Sequence, residues 1–220
     1  MNLGDRLAQV RARVAAAEQA AGRPAGSVTL VAASKTRSAE EVRAALALGQ
    51  RDFGENYAQE LRDKADALGP APVWHFIGRL QRNKVKYVVG RASLVHDVDS
   101  LELAREIGAR GGVRTTAVLL GVNIGAEPQK SGVLPDAVLP LAREVVAVPG
   151  VRLAGLMCLP PADADPAPHF THLAALAAAG RAEGLPLDVL SMGMSDDLEA
   201  AIAAGATHVR VGTAIFGPRG

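Results

Sequence analysis

The sequence has a single cysteine, Cys158, and it lies in an apolar run. An internal disulfide is excluded, and no thiolate cluster exists for zinc; such usage suits a reducing cytosol. A surplus of one charge is also missing, since 24 lysines and arginines stand against 23 aspartates and glutamates, for a formal net charge of +1. Nothing global draws such a chain to nucleic acid or an anionic membrane, so any phosphate chemistry must be local. Long hydrophobic runs are absent too. Asp5, Arg6, Arg11, Arg13 and Glu18 interrupt the alanines of the first segment, unlike a signal peptide, and no later run approaches the ~20 residues of a membrane span. The expectation is a soluble, cytoplasmic protein. There is no Ser/Gly linker, charge block or repeat of fixed period, so residues 1–220 read as one domain. Gly108, Gly111 and Gly112 follow a helical pattern and precede a strand, the reverse of the order in a dinucleotide fingerprint, and no Walker-type loop occurs.

What the chain does have is alternation. After an amphipathic helix over roughly Leu3 to Ala21, the run Val28 to Ala33 reads as a strand, and Ser38 before Ala39-Glu40-Glu41 reads as the N-cap of a helix. Further apolar or β-branched runs lie at Arg51 to Phe53, Val73 to Ile77, Ser93 to Val98, Thr116 to Ile124, Arg152 to Leu159, Asp188 to Leu190 and Thr207 to Val211. Helical patterns such as Leu101 to Ala109, Pro135 to Val146, His169 to Glu183 and Asp196 to Ala204 separate them. About eight βα repeats predict an α/β fold, a single (β/α)8 TIM-type barrel; an open doubly wound sheet is the competing architecture.

In a barrel of this kind the C-terminal ends of the strands face the active site, so the residues just past each strand decide the chemistry. Strand one runs into Ser34-Lys35-Thr36. A lysine where an apolar strand opens into a pocket can condense with an aldehyde, although a solvated loop lysine has the same local sequence. Strand seven runs into Ser191-Met192-Gly193-Met194-Ser195, and strand eight ends in Arg210-Val211-Gly212-Thr213. Hydroxyls and glycines before helix N-termini present backbone N–H groups to an anion, and barrels often bind phosphate after strands seven and eight; the same residues also make ordinary turns. A lysine facing a phosphate cup describes a phosphorylated aldehyde held at both ends, and pyridoxal 5′-phosphate (PLP) has that shape. Arg210 beside the pyridine nitrogen would keep it unprotonated and weaken the ring as an electron sink, or it could pair with a rim carboxylate.

These residues carry a resemblance to a known family. Leu30 to Thr36, Phe53 to Tyr57, Trp74 to Lys84, Asn123-Ile124, Lys130-Ser131-Gly132, Gly155-Leu156-Met157, Leu190 to Asp197 and Val209 to Gly217 resemble the YggS/PROSC family of PLP homeostasis proteins. The barrel of that family is similar to the N-terminal domain of bacterial alanine racemase. The resemblance implies a fold-type III PLP barrel without the second β-domain. It implies a Schiff base on Lys35, Ser191, Ser195, Gly212 and Thr213 near the phosphate, Arg210 near the ring nitrogen, and Asn56 lining the pocket. It further implies PLP homeostasis or delivery without catalytic turnover, apo PLP enzymes as candidate recipients, and no catalytic or metal-binding residues. The chain ends at Pro218-Arg219-Gly220, where many relatives carry a longer tail. A racemase would need a second acid/base group, usually from another domain and a partner subunit, for which 220 residues leave no room; a monomer is expected. An amino-acid racemase and a Schiff-base aldolase without cofactor are the competing functions. His75 reads as a pocket or a core residue, and His169 with His172, at i, i+3, lacks a third metal ligand. Arg79, Arg82, Lys84 and Lys86 form a basic cluster for a second phosphate, a partner or plain solvent; Lys130 is a transient PLP acceptor or an exposed loop lysine.

Overall fold

A computed structural model describes residues 1–218; Arg219 and Gly220, and with them the expectation about the tail, lie outside the described residues. Eight parallel strands close into a barrel in sequence order, β1 Thr29–Ala33, β2 Asp52–Glu55, β3 Val73–Phe76, β4 Ala92–Val98, β5 Thr116–Val122, β6 Val151–Cys158, β7 Val189–Ser191 and β8 His208–Val211. Closure is made by β1 pairing with β8, Val31 opposite Arg210 and Ala32 opposite Val211. The open doubly wound sheet is thereby ruled out. The strand positions follow the sequence reading to within about two residues, the usual uncertainty of element ends.

Helices wrap the outside: α1 Leu3–Ala20, α2 Ala39–Ala47, α3 Ala58–Leu68, α4 Val85–Val88, α5 Leu101–Gly111, α6 Val138–Val146, α7 Pro166–Ala182, α8 Leu198–Ala203 and α9 Thr213–Phe216. Ser38 caps α2 as its sequence predicts, in a reciprocal capping box with Glu41. The one-turn helices α4 and α9 escape a periodicity reading because four residues scarcely complete one 3.6-residue turn. α3 has Tyr57 at its N-cap without a side-chain cap hydrogen bond, so its start lacks the usual sequence signal.

Between strands and helices lies the main apolar core, with Phe53, Trp74, Phe76, Phe170 and many aliphatic side chains withdrawn from water. A smaller cluster of Leu94, Ala117, Leu119, Ala154 and Met157 occupies part of the barrel interior. Cys158 is completely buried and burial pushes its thiol up to about 12. A thiol so held offers neither thiolate nor access. Native protein at pH 8 should therefore leave a disulfide reagent such as DTNB unreacted, with one thiol released on adding denaturant; prompt native reaction would contradict this packing.

Candidate functional site

The C-terminal ends of the strands enclose an open cavity of about 530 Å³, the size range of small-molecule sites. Its walls include Ala33 at the end of β1 and Lys35 after it, Asn56 after β2, Ser195 and Asp196 between β7 and α8, Arg210 on β8, and Gly212, Thr213 and Ala214 at the start of α9. Of the seven residues expected from the sequence, six thus come together: Lys35, Asn56, Ser195, Arg210, Gly212 and Thr213.

Ser191 is the exception. The sequence predicts it at the phosphate, yet it is fully buried one layer below the cavity, its hydroxyl between His96 Nδ1 at 2.8 Å and Arg210 Nη1 at 2.5 Å. As the last residue of β7 it points into the barrel interior, and strand alternation carries the following residues elsewhere. Seven wall residues lie outside the sequence expectation: Arg13, Ala33, Ile77, Leu159, Met194, Asp196 and Ala214. Arg13 belongs to α1 and reaches back to the β7–α8 loop, donating to Ser195 O at 2.8 Å and pairing with Glu199. Only a contact 182 residues away in sequence brings it there, so no local motif marks it.

Lys35 is half-buried, and among the described residues lining the cavity it is the only lysine. No carboxylate among the described residues pairs with it, so its amine is uncommitted. Its backbone, by contrast, is held firmly. The next residue, Thr36, has φ +64, a left-handed conformation that strains a β-branched side chain by about 1–3 kcal/mol. A buried cluster keeps it there. Lys64 Nζ donates to Ser34 O at 2.8 Å, Glu55 Oε1 at 2.7 Å and Glu60 Oε2 at 3.0 Å, while Glu60 Oε2 accepts the Thr36 N–H at 2.9 Å. Ser34 Oγ also donates to Glu55 Oε1 at 2.6 Å. Burial raises the Glu55 carboxyl above its ordinary range, against the lowering effect of Lys64. Two lysines near one strand end therefore stand differently, Lys64 fixing the loop and Lys35 lining the cavity unpaired among the described residues.

The adjoining wall, after β8, supplies N–H groups. In the first turn of α9 the Ile215 and Phe216 amides both donate to Gly212 O, which leaves the Thr213 and Ala214 amides at the cavity wall without intrahelical acceptors. Ser195 and Thr213 add hydroxyls, and Arg13 adds a cation. Asn56 Oδ1 is a buried acceptor with no donor among the described residues, and it suits a hydroxyl on a ligand. Gly78 keeps the Asn56 backbone in place, because a Cβ there would come within 2.3 Å of Asn56 O. An amine, a phosphate cradle and an orphaned acceptor around one cavity fit a phosphorylated, hydroxylated aromatic aldehyde.

The secondary candidates are not part of this cavity. His75 is buried inside the barrel, below the cavity. Arg79 is largely exposed, and Lys84 and Lys86 flank the Tyr87 ring with Arg62. Lys130 Nζ is engaged by Glu127 and by Pro160 O, in a neighbouring depression that also includes Asp97, whose carboxyl burial and the nearby Asp99 push up to about 6. No described helix is long and apolar enough to cross a membrane.

Comparison with known proteins agrees with this geometry. The family described as alanine racemase, N-terminal domain, matches residues 6–220. A pyridoxal phosphate homeostasis protein of Pseudomonas aeruginosa is 45% identical, the match covering 99% of this chain and 96% of that protein. The protein of the same name from Escherichia coli (strain K12) is 41% identical over 99% of this chain and 97% of its own. The structure of PipY from Synechococcus elongatus with PLP bound superposes with a TM-score of 0.85 at 33% identity, covering 98% of this chain and all of that one. A barrel from β1 to β8, a cavity at its C-terminal mouth and relatives matched over almost their whole length identify this chain as a member of the pyridoxal phosphate homeostasis family, built on the alanine racemase N-terminal domain fold.

Proposed function

We propose that this protein binds PLP in the cavity at the C-terminal mouth of the barrel and serves in intracellular PLP homeostasis or delivery. The observation that carries the reading is the uncommitted Lys35 amine lining one cavity together with Ser195, Gly212 and Thr213. Bound there, PLP supplies an aldehyde and a dianionic anchor; the Lys35 amine condenses with the aldehyde, releasing water and leaving a Schiff base. The Thr213 and Ala214 amides, the Ser195 and Thr213 hydroxyls and the Arg13 cation receive the phosphate. Arg210 meets the ring from the barrel interior, where a permanent cation disfavours protonation of the pyridine nitrogen. Asn56 Oδ1 accepts from the ring hydroxyl. The relative whose structure contains PLP supports the choice of ligand.

The reading includes no catalytic turnover, a cytoplasmic location and a monomer. Racemisation needs a proton carrier on the face opposite the lysine. The described cavity walls include no tyrosine, histidine or second lysine for that role, and the open mouth favours exchange of PLP with other amines, apo PLP enzymes among them. Names of relatives support homeostasis over catalysis. An amino-acid racemase would use the same pocket; sustained turnover lost in Lys35→Ala would establish it instead.

Purified protein incubated with PLP should turn yellow, and borohydride followed by proteolysis should place the reduced label on the peptide containing Lys35. Protein that stays colourless with excess PLP, or a label on another lysine, would end this assignment. Loaded protein mixed with an apo PLP enzyme tests delivery: reactivation faster than free dissociation permits supports it, and reactivation at the dissociation rate removes it.

A further inference from the structure

The barrel interior has two unlike halves. Opposite the apolar cluster around Leu119, polar side chains, buried except for the partly exposed Asp52, connect into a single column. Asp52 Oδ1 lies 3.1 Å from His75 Nε2, His75 Nδ1 lies 2.9 Å from His96 Nε2, and His96 Nδ1 lies 2.8 Å from Ser191 Oγ. Arg210 Nη1 closes the column on the same Ser191 Oγ, and its Nη2 donates to Cys158 O at 3.0 Å. Asp52 opens β2 at the floor of the barrel, four positions before the cavity residue Asn56, which is about 13 Å along a strand. The column thus runs from the floor to the cavity wall.

Its hydrogen positions are set from the Arg210 end. A guanidinium can only donate, so Ser191 Oγ accepts from Arg210. The serine hydrogen then goes to His96 Nδ1, which leaves the His96 hydrogen on Nε2, aimed at His75 Nδ1. His75 in turn keeps its hydrogen on Nε2 and donates to the Asp52 carboxylate. The opposite sense would leave the serine hydrogen with no acceptor in the column and set an unprotonated His75 Nε2 against the Asp52 carboxylate. Burial, with His75, Arg210 and His208 close by, holds His96 well below the ordinary imidazole range, so it carries one ring hydrogen. Burial likewise lowers Arg210, against the opposing pull of Cys158, Asp197 and Asp97.

We propose that Ser191, His96, His75 and Asp52 are positioning residues for Arg210, a hydrogen-bond chain of one sense that fixes how the guanidinium meets a bound ligand from the far end of the barrel. The inference rests on reading the cavity as the PLP site. Fixed donors are worth more than mobile ones because no reorganisation is needed when the ligand arrives. A guanidinium released from Ser191 would swing among rotamers and solvent, and its field at the ring would weaken.

The test has a cofactor-free arm and a loaded arm. Nitrogen-15 NMR of the apo protein should find His96 and His75 both with the hydrogen on Nε2; a His96 hydrogen on Nδ1 overturns the proposed sense. In the loaded arm, Ser191→Ala should weaken PLP binding about tenfold and raise the pH midpoint of the PLP–Lys35 absorbance by about one unit, as the cation at the ring nitrogen, conjugated with the imine, loses its hold. Asp52→Asn, isosteric and at the floor, should weaken binding several-fold with an unchanged melting temperature. Wild-type affinity and midpoint in both folded variants would overturn the proposal. Should wild-type protein take up no PLP, the functional reading fails on its own, while the tautomer result still decides the chain's sense.

Discussion

Lys35→Ala is expected to abolish borohydride fixation of PLP and to weaken its binding by about 100-fold or more, roughly 3 kcal/mol of lost interaction. The covalent link disappears, whereas the Ser195, Gly212 and Thr213 wall and the Arg13 cation persist, so residual phosphate-driven binding should remain. Inorganic phosphate should compete with that residual binding. The fold should be unaffected, because the Lys35 side chain pairs with no carboxylate among the described residues and sits half-exposed at the cavity. Absorbance titration, trapping and a thermal melt on the same preparation separate these outcomes. An alanine variant that still fixes PLP on one residue at wild-type affinity would place the reactive amine elsewhere.

The second large effect is on stability. Lys64→Met should cost about 3–5 kcal/mol, because it removes the cation from a buried pair and leaves the Glu55 carboxylate, whose Oε2 has no partner among the described residues, buried with Ser34 Oγ as its donor. Ser34 O and the strained Thr36 loop would lose their anchor at the same time, so PLP affinity should fall along with stability. The pH dependence comes from the direction of the Glu55 shift. Its folded-state carboxyl is raised, and losing Lys64 raises it further; the penalty is then largest above that raised value and shrinks as falling pH neutralises the group. Adding Glu55→Gln to Lys64→Met should recover part of the loss at neutral pH, since no charge is then left buried. Urea unfolding of the single and double variants at two pH values measures all of this, and a Lys64→Met protein as stable as wild type would show that the pair holds nothing.

Local sequence carries the strand order, because short β-branched runs alternating with alanine-rich helical spacing have few other ways to bury both. β2 is instructive for what it hides. Its apolar pattern stops at Phe53, yet the strand continues through Gly54 and Glu55, residues with little strand preference of their own. Parallel partners on both sides, Ala33 opposite Gly54 and Phe76 opposite Glu55, supply the hydrogen bonds that override that preference. β5 is shorter than the run Thr116 to Ile124 for the complementary reason: Asn123 already belongs to the loop, where its side chain bonds the Glu127 backbone and turns the chain.

The cavity divides in the same way. Lys35, Asn56, Ser195, Arg210, Gly212 and Thr213 each follow or end a strand, and barrel geometry brings all such positions to one mouth, so their meeting is legible once the fold is. Ser191 lies one layer lower than its sequence predicts, since counting along a strand gives the direction of a side chain only after the strand's end is known. Arg13 carries no such signal; it reaches the cavity from α1 through a contact that no sequence spacing encodes.

The amino-acid order alone thus determined the alternation of strands and helices and singled out the candidate amine, because both depend on local periodicity and on which residue types stand at strand ends. Closure of the barrel decided the rest: which polar side chains face inward together, and hence the buried Lys64 pair and the Asp52-to-Arg210 column. Such contacts exist only when strands distant in sequence are brought side by side, and in that low-dielectric interior each buried polar group must find its partner among them.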